Sequence, residues 1–261
     1  MKISLIQINA SEEKKENFEK AKGYFVKAAK DHPDIICLPE NFLYSGDDKL
    51  KEAEELSSDH IQEFQRLAKT HRVNLVLGSI ALLVPSKKKV TNSSLIIGRN
   101  GEIIHRYDKL YTYDVEREDF AYRESDTVKP GNQLGLFEID GVTIGVGICF
   151  DLRFPEYFRV LVQRGAEIIF LPSNFYKITG EVTWDILTKA RAIENQVYMC
   201  ACDQTGRIHS QERCGNTRVV SFDGTILAEQ RKAEGFISAD LNLEHLRQFR
   251  KHFPVLQQMK S

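Results

Sequence analysis

Apolar and polar positions along the chain alternate between two periods. Ile3 to Ile8, with only Ser4 and Gln7 polar, looks like a buried strand, whereas Glu13 to Ala29 repeats Phe18, Ala21, Phe25, Ala28 and Ala29 on one helical face. The same exchange of periods predicts a strand at Asp34 to Leu38, a helix at Ser58 to His71, and strands at Val73 to Val84, Ser93 to Ile97 and Glu102 to Arg106. A charged loop, Asp108 to Gly131, then precedes two strands joined at Asp140-Gly141, a hairpin signal. Helix Pro155 to Arg164, strand Glu167 to Leu171, helix Glu181 to Gln196 and strand Val197 to Asp203 follow, and a hairpin turns at Asp223-Gly224.

Two segments recur in the same order. Asp34-Ile35-Ile36-Cys37-Leu38-Pro39-Glu40-Asn41-Phe42 is echoed by Glu167-Ile168-Ile169-Phe170-Leu171-Pro172-Ser173-Asn174-Phe175. Asn92 to Ile97, with Gly101-Glu102-Ile103 after it, is echoed by Asn216 to Ser221 with Gly224-Thr225-Ile226. Repeated α/β units of this kind predict two similar halves whose sheets pack face to face with helices outside. No stretch has a linker's composition, so residues 1–240 are expected to form one domain and residues 241–261 a C-terminal helical segment.

Composition narrows the class of partner. The 261 residues carry 36 lysines and arginines against 37 aspartates and glutamates, so no net field favours nucleic acid or an anionic membrane. No apolar stretch approaches the ~20 residues of a membrane span, and no signal-peptide pattern opens the chain. A cytoplasmic protein acting on a small molecule is expected. Five cysteines, Cys37, Cys149, Cys200, Cys202 and Cys214, lack the paired spacing of a disulfide framework or a structural zinc site. Cys37, Cys200 and Cys202 read as small core hydrophobes.

Cys149 differs, because the apolar run Val142 to Ile148 ends at it and the chain turns polar at once. Glu40 and Lys109 also stand just beyond strands. A free thiol is only slightly ionised at neutral pH, so a nucleophilic cysteine needs a base or a cation beside it. The seven histidines sit in helices, polar loops or the tail. A carboxylate able to take and return a proton, with a lysine to hold developing negative charge, is the economical substitute.

Leu38-Pro39-Glu40, Tyr107-Asp108-Lys109-Leu110 and Gly147-Ile148-Cys149-Phe150-Asp151-Leu152-Arg153-Phe154-Pro155-Glu156 resemble, in order and spacing, the three signature segments of the nitrilase superfamily of carbon–nitrogen hydrolases. The resemblance spans Lys2 to about Asp240. It implies an α/β fold, a four-layer αββα sandwich with two pseudo-symmetric halves, and a Glu40-Lys109-Cys149 triad, with Glu124 at a second glutamate position. It also implies hydrolysis of an amide through a cysteine thioester, with neither metal nor organic cofactor, and a homodimer using the helix after Pro155 and the C-terminal segment. The oxyanion would rest on Lys109 and the N–H of Phe150. Thr179-Gly180, Trp184 and Lys189 to Gln196 resemble the branch containing omega-amidase and the deaminated-glutathione amidases. A short ω-amide such as 2-oxoglutaramate is the expected substrate, deaminated glutathione or a nitrile the alternatives, and a catalytically silent binding protein the remote one. Phe150, Arg153, Asn174 and Phe175 are candidate substrate-binding residues, Arg153 for a carboxylate or for a structural salt bridge.

Overall fold

The computed structural model describes residues 1–85, 88–118 and 120–258. Asp119, in the expected charged loop, and residues 259–261, at the end of the expected C-terminal segment, lie outside them.

Strand β1 (Lys2–Gln7), helix α1 (Lys14–Ala29), β2 (Ile35–Cys37), α2 (Asp59–His71), β3 (Asn74–Leu83), β4 (Val90–Ile97) and β5 (Ile103–Asp108) form the first half. A small hairpin, β6 (Asp114–Arg117) and β7 (Phe120–Arg123), follows, and then β8 (Leu136–Ile139), β9 (Val142–Val146), α3 (Pro155–Gln163), β10 (Ile168–Ser173), the single turn α4 (Lys177–Gly180), α5 (Thr183–Asn195) and β11 (Tyr198–Asp203). The chain ends with the short pair β12 (Arg207–Ile208) and β13 (Gln211–Glu212), strands β14 (Thr217–Val220), β15 (Ile226–Gln230) and β16 (Gly235–Asp240), and helix α6 (Leu243–His252).

Two six-stranded sheets result, ordered β16-β1-β2-β3-β4-β5 and β8-β9-β10-β11-β14-β15. Read in these directions, both have parallel pairs only at their second and third joins and antiparallel pairs elsewhere. The echoed segments therefore occupy equivalent places: β2 corresponds to β10 and β4 to β14. Helices α1 and α2 flank β2 in sequence as α3 and α5 flank β10.

Alternation explains the layers. Ile35 and Cys37 of β2 join the core between the sheets, while Ile36 and Leu38 join the core under α1 and α2 with Phe25, Phe64 and Leu67. Both faces of the strand are buried, which is why its sequence is continuously apolar. Each fully buried Ile or Leu stabilises the fold by roughly 1.5–3 kcal/mol before entropy is counted. The sheets touch closely enough for the Cys202 thiol of β11 to donate to the Ile6 carbonyl of β1 at 3.0 Å. Cys37, Cys200 and Cys202 are buried free thiols, as their apolar settings predict.

Three elements differ from the sequence reading. The charged loop contains the β6–β7 hairpin and a 3-10 turn at Glu124–Asp126, elements of three or four residues that are too short to show a period. The helix expected from Glu181 begins at Thr183, after the separate turn α4. Strand β16 returns from the C-terminal end to pair antiparallel with β1, a long-range pairing that local pattern does not record. Leu241 and Leu246 beyond it are packed in the core between the sheets.

Candidate active site

The carboxyl ends of β2, β9 and β10 open at one crevice between the two halves, the place where sheets of parallel strands carry chemistry on a rigid frame. Glu40 follows β2 and is bridged to Ser79 of β3. That approach needs Gly78 (φ +34°), because a Cβ there would lie 2.1 Å from the Pro39 carbonyl oxygen. Lys109 follows β5, its backbone N–H donating to Asn92 O at 2.9 Å. Cys149 follows β9 with φ +47°, a left-handed conformation that costs a non-glycine residue about 1–2 kcal/mol. It opens a 3-10 turn, Cys149–Arg153.

Asp151 sets that strained turn. Its Oδ2 accepts from the backbone of Ile148 at 2.7 Å and from the Tyr107 hydroxyl at 2.7 Å, and its Oδ1 accepts from the backbone of Tyr111 at 3.1 Å. One carboxylate thus ties the thiol's turn to the segment on either side of Lys109. Burial pushes Asp151 up to about 6, with the N–H of Ile148 and the other donors opposing it.

The side chains converge in a buried cluster. Lys109 Nζ donates to Glu40 Oε1 at 3.1 Å and to Glu124 Oε2 at 2.9 Å. Asn92 Nδ2 donates to Glu40 Oε1 at 2.8 Å and to Glu124 Oε1 at 3.2 Å, so one amide and one ammonium hold the two carboxylates apart. Glu40, Lys109 and Glu124 are each 2% exposed and Cys149 is 8% exposed. Burial opposes charge on Lys109, yet Glu124 and Glu40 raise its pKa well above the usual lysine value. Burial likewise opposes charge on Glu124, but Lys109 and Lys49 bring it down to about 2. The Cys149 thiol is pushed up by burial and by the Glu40 charge, against Lys109 and the backbone N–H of Asn174. These influences disfavour the thiolate, so a base beside Cys149 has to take its proton as the sulfur attacks.

Cys149, Glu40, Lys109 and Glu124 line a chamber of about 40 Å³, and so do all four candidate binding residues, Phe150, Arg153, Asn174 and Phe175. Through Tyr113, Phe150, Arg153 and Thr179 it widens into an outer depression of about 910 Å³. Arg153 donates to Thr179 O at 2.7 Å and to Thr183 Oγ1 at 3.3 Å, with its guanidinium 5.9 Å from the Phe150 ring and 5.7 Å from that of Phe175. Among the described residues it pairs with no carboxylate, which removes the salt-bridge reading. Arg191 and Glu194 do pair, at 2.9 Å.

Asn92 and Lys49 are the site residues that the sequence reading passed over. Asn92 heads the echoed segment Asn92 to Ile97, a polar residue opening an apolar strand, and that position was a usable signal. Lys49 sits in the charged run Asp47 to Glu55, which gives none. No histidine lines the chamber among the described residues, and none of their His, Cys, Asp and Glu side chains cluster as a metal site.

Known proteins share this architecture. The family model for carbon-nitrogen hydrolases matches residues 2–251. An omega-amidase of Saccharomyces cerevisiae is 32% identical over 100% of this chain and 93% of its own length. A deaminated glutathione amidase of Yersinia enterocolitica is 33% identical over 98% of this chain and 91% of its own. The crystal structure of Saccharomyces cerevisiae Nit3, a member of branch 10 of the nitrilase superfamily, matches with TM-score 0.90 and 29% identity, covering 99% of this chain and 96% of that one. With the αββα sandwich, its paired halves and the crevice between them in place, the chain belongs to the carbon-nitrogen hydrolase family.

Proposed function

We propose that this hydrolase is an amidase that releases ammonia from a short ω-amide of a dicarboxylic acid, with 2-oxoglutaramate the leading candidate. The observation that carries the reading is the burial of the Cys149 thiol, the Glu40 carboxyl and the Lys109 amine in one chamber. Cys149 Sγ attacks the amide carbonyl while Glu40 takes its proton, and Lys109 with the Phe150 N–H holds the oxyanion. Glu40 returns the proton to the nitrogen as the C–N bond breaks and ammonia leaves. Water then gives a proton to Glu40 and attacks the thioester. The C–S bond breaks, the proton returns to sulfur and a carboxylic acid departs. Glu124 orients Lys109 throughout, Phe150, Asn174 and Phe175 surround the acyl chain, and Arg153 at the mouth guides an anionic substrate inward.

The outer depression of about 910 Å³ favours a second reading, a longer peptide-like amide of the deaminated-glutathione kind. A homodimer fits the apolar outer face of α5, where Val182, Ile186 and Ile193 are exposed. A reducing compartment such as the cytoplasm fits five free cysteines, and no helix among the described residues is long and apolar enough to cross a membrane. Mass spectrometry after incubation with small amides tests the chemistry: an acyl adduct on Cys149 that is lost in Cys149→Ala supports it, and full activity in Cys149→Ala overturns it. End-product analysis with matched amides and nitriles separates amidase from nitrilase.

A further inference from the structure

The chamber contains three cations, Lys109, Lys49 and Arg153, against the two carboxylates Glu40 and Glu124. Lys49 is the unexplained one. It is 8% exposed, and the carboxylate paired with its Nζ is Glu124, at 3.6 Å and beyond hydrogen-bonding reach. Glu124 has nearer partners, because Oε2 accepts from Lys109 at 2.9 Å and Tyr113 N at 2.8 Å, and Oε1 from Asn92 at 3.2 Å. Burial opposes charge on Lys49, but the Glu124 and Glu40 carboxylates raise its pKa above the usual lysine value. Besides that ion pair and the Tyr122 ring 5.9 Å away, no hydrogen-bond acceptor reaches the ammonium among the described residues, so an anionic group entering the chamber would meet it directly.

Lys49 and Arg153 stand on different sides of the chamber. Arg153 also lines the outer depression, whereas Lys49 also lines a second, neighbouring pocket of about 160 Å³ with Asn41, Asp47, Tyr122, Asn174 and Tyr176. Asn174 Oδ1 is buried there without a hydrogen-bond partner. A substrate amide at Cys149 with an anionic far end therefore meets the Lys49 ammonium, while Asn174 Oδ1 is left to accept from an N–H or O–H donor.

Building on the amidase reading, we propose that Lys49 is a substrate-binding residue whose ammonium takes the carboxylate at the far end of the substrate, making the site selective for short monoamides of dicarboxylic acids. Because Cys149 and Lys49 share a chamber of about 40 Å³, a short chain bridges them. The test compares succinamate with butyramide, two amides of similar length of which one is anionic. In Lys49→Met the ratio of kcat/KM for succinamate over butyramide falls at least tenfold, mostly through KM, and in Lys49→Arg it stays within about threefold of the wild type. Lys49→Gln carries the same expectation as Lys49→Met should that variant fail to accumulate. An unchanged ratio, with both substrates slowed equally, overturns the inference and leaves Lys49 acting only through Glu124. Wild-type protein that hydrolyses neither amide overturns the amidase reading itself.

Discussion

Arg191 grips the carbonyl of Leu152 with two donors, Nη2 at 2.8 Å and Nε at 3.1 Å. Leu152 belongs to the turn that Cys149 opens, so helix α5 is bolted to the backbone of the candidate nucleophile. The Glu194 carboxylate steadies the same guanidinium at 2.9 Å.

Arg191→Lys is expected to lower kcat by about 10- to 100-fold with KM little changed, because a point-like ammonium cannot reproduce the fork and misplacement of order 1 Å costs about that much. The melting temperature should fall by several degrees, since a buried carbonyl left unmet costs about 1–3 kcal/mol. Steady-state kinetics with thermal unfolding checks both; kcat within twofold of wild type would show that the grip does not position the thiol.

Lys109→Met leaves Glu40 and Glu124 buried without the ammonium between them. Breaking such a buried pair costs about 3–5 kcal/mol. Loss of turnover is expected together with a lower denaturant midpoint. A variant of wild-type stability would mean that Asn92 and Lys49 suffice to hold the carboxylates.

Glu40→Gln separates the base from the thiol. Turnover should fall by about 10²–10⁴, the usual worth of a general base, while iodoacetamide still alkylates Cys149, because removing the Glu40 charge removes one cause of the thiol's raised pKa. Peptide mapping of the alkylated protein beside amide kinetics reads both. Unchanged turnover would remove Glu40 from its role.

Asp151 gives stability a pH dependence of defined sign. Its folded value of about 6 lies above the ordinary carboxylate value, so between about pH 4 and 6 the folded state binds the extra proton. Its contribution is fully present below about pH 4 and is lost as pH rises toward 6, by roughly 3 kcal/mol at most. Asp151→Asn cannot titrate. The stability of wild type minus that of the variant should fall across this window, as measured by urea unfolding at several pH values, and a flat difference would show that Asp151 is not perturbed.

The candidate site residues Glu40 and Cys149 were legible because each stands where an apolar run stops, Lys109 because it stands just beyond a strand, and Glu124 because the resemblance marked its loop. The hairpin of β6 and β7 was not, since its two strands of four residues each are too short and too mixed in polarity for a period to show. Asn92 and Lys49 were missed for a related reason: a buried polar residue looks like an exposed one until its neighbours are known.

Periodicity determined the longer strands and helices in their order, and the two echoes pointed to paired halves, because strand and helix period and strand-end punctuation are local properties. Only the tertiary structure decided that Glu40, Lys109, Glu124 and Cys149 share one chamber, that Asn92 and Lys109 hold its carboxylates, and that Asp151 sets the turn of Cys149. Distances between residues far apart in the chain, and the burial that strengthens their charges, arise only when the two sheets pack.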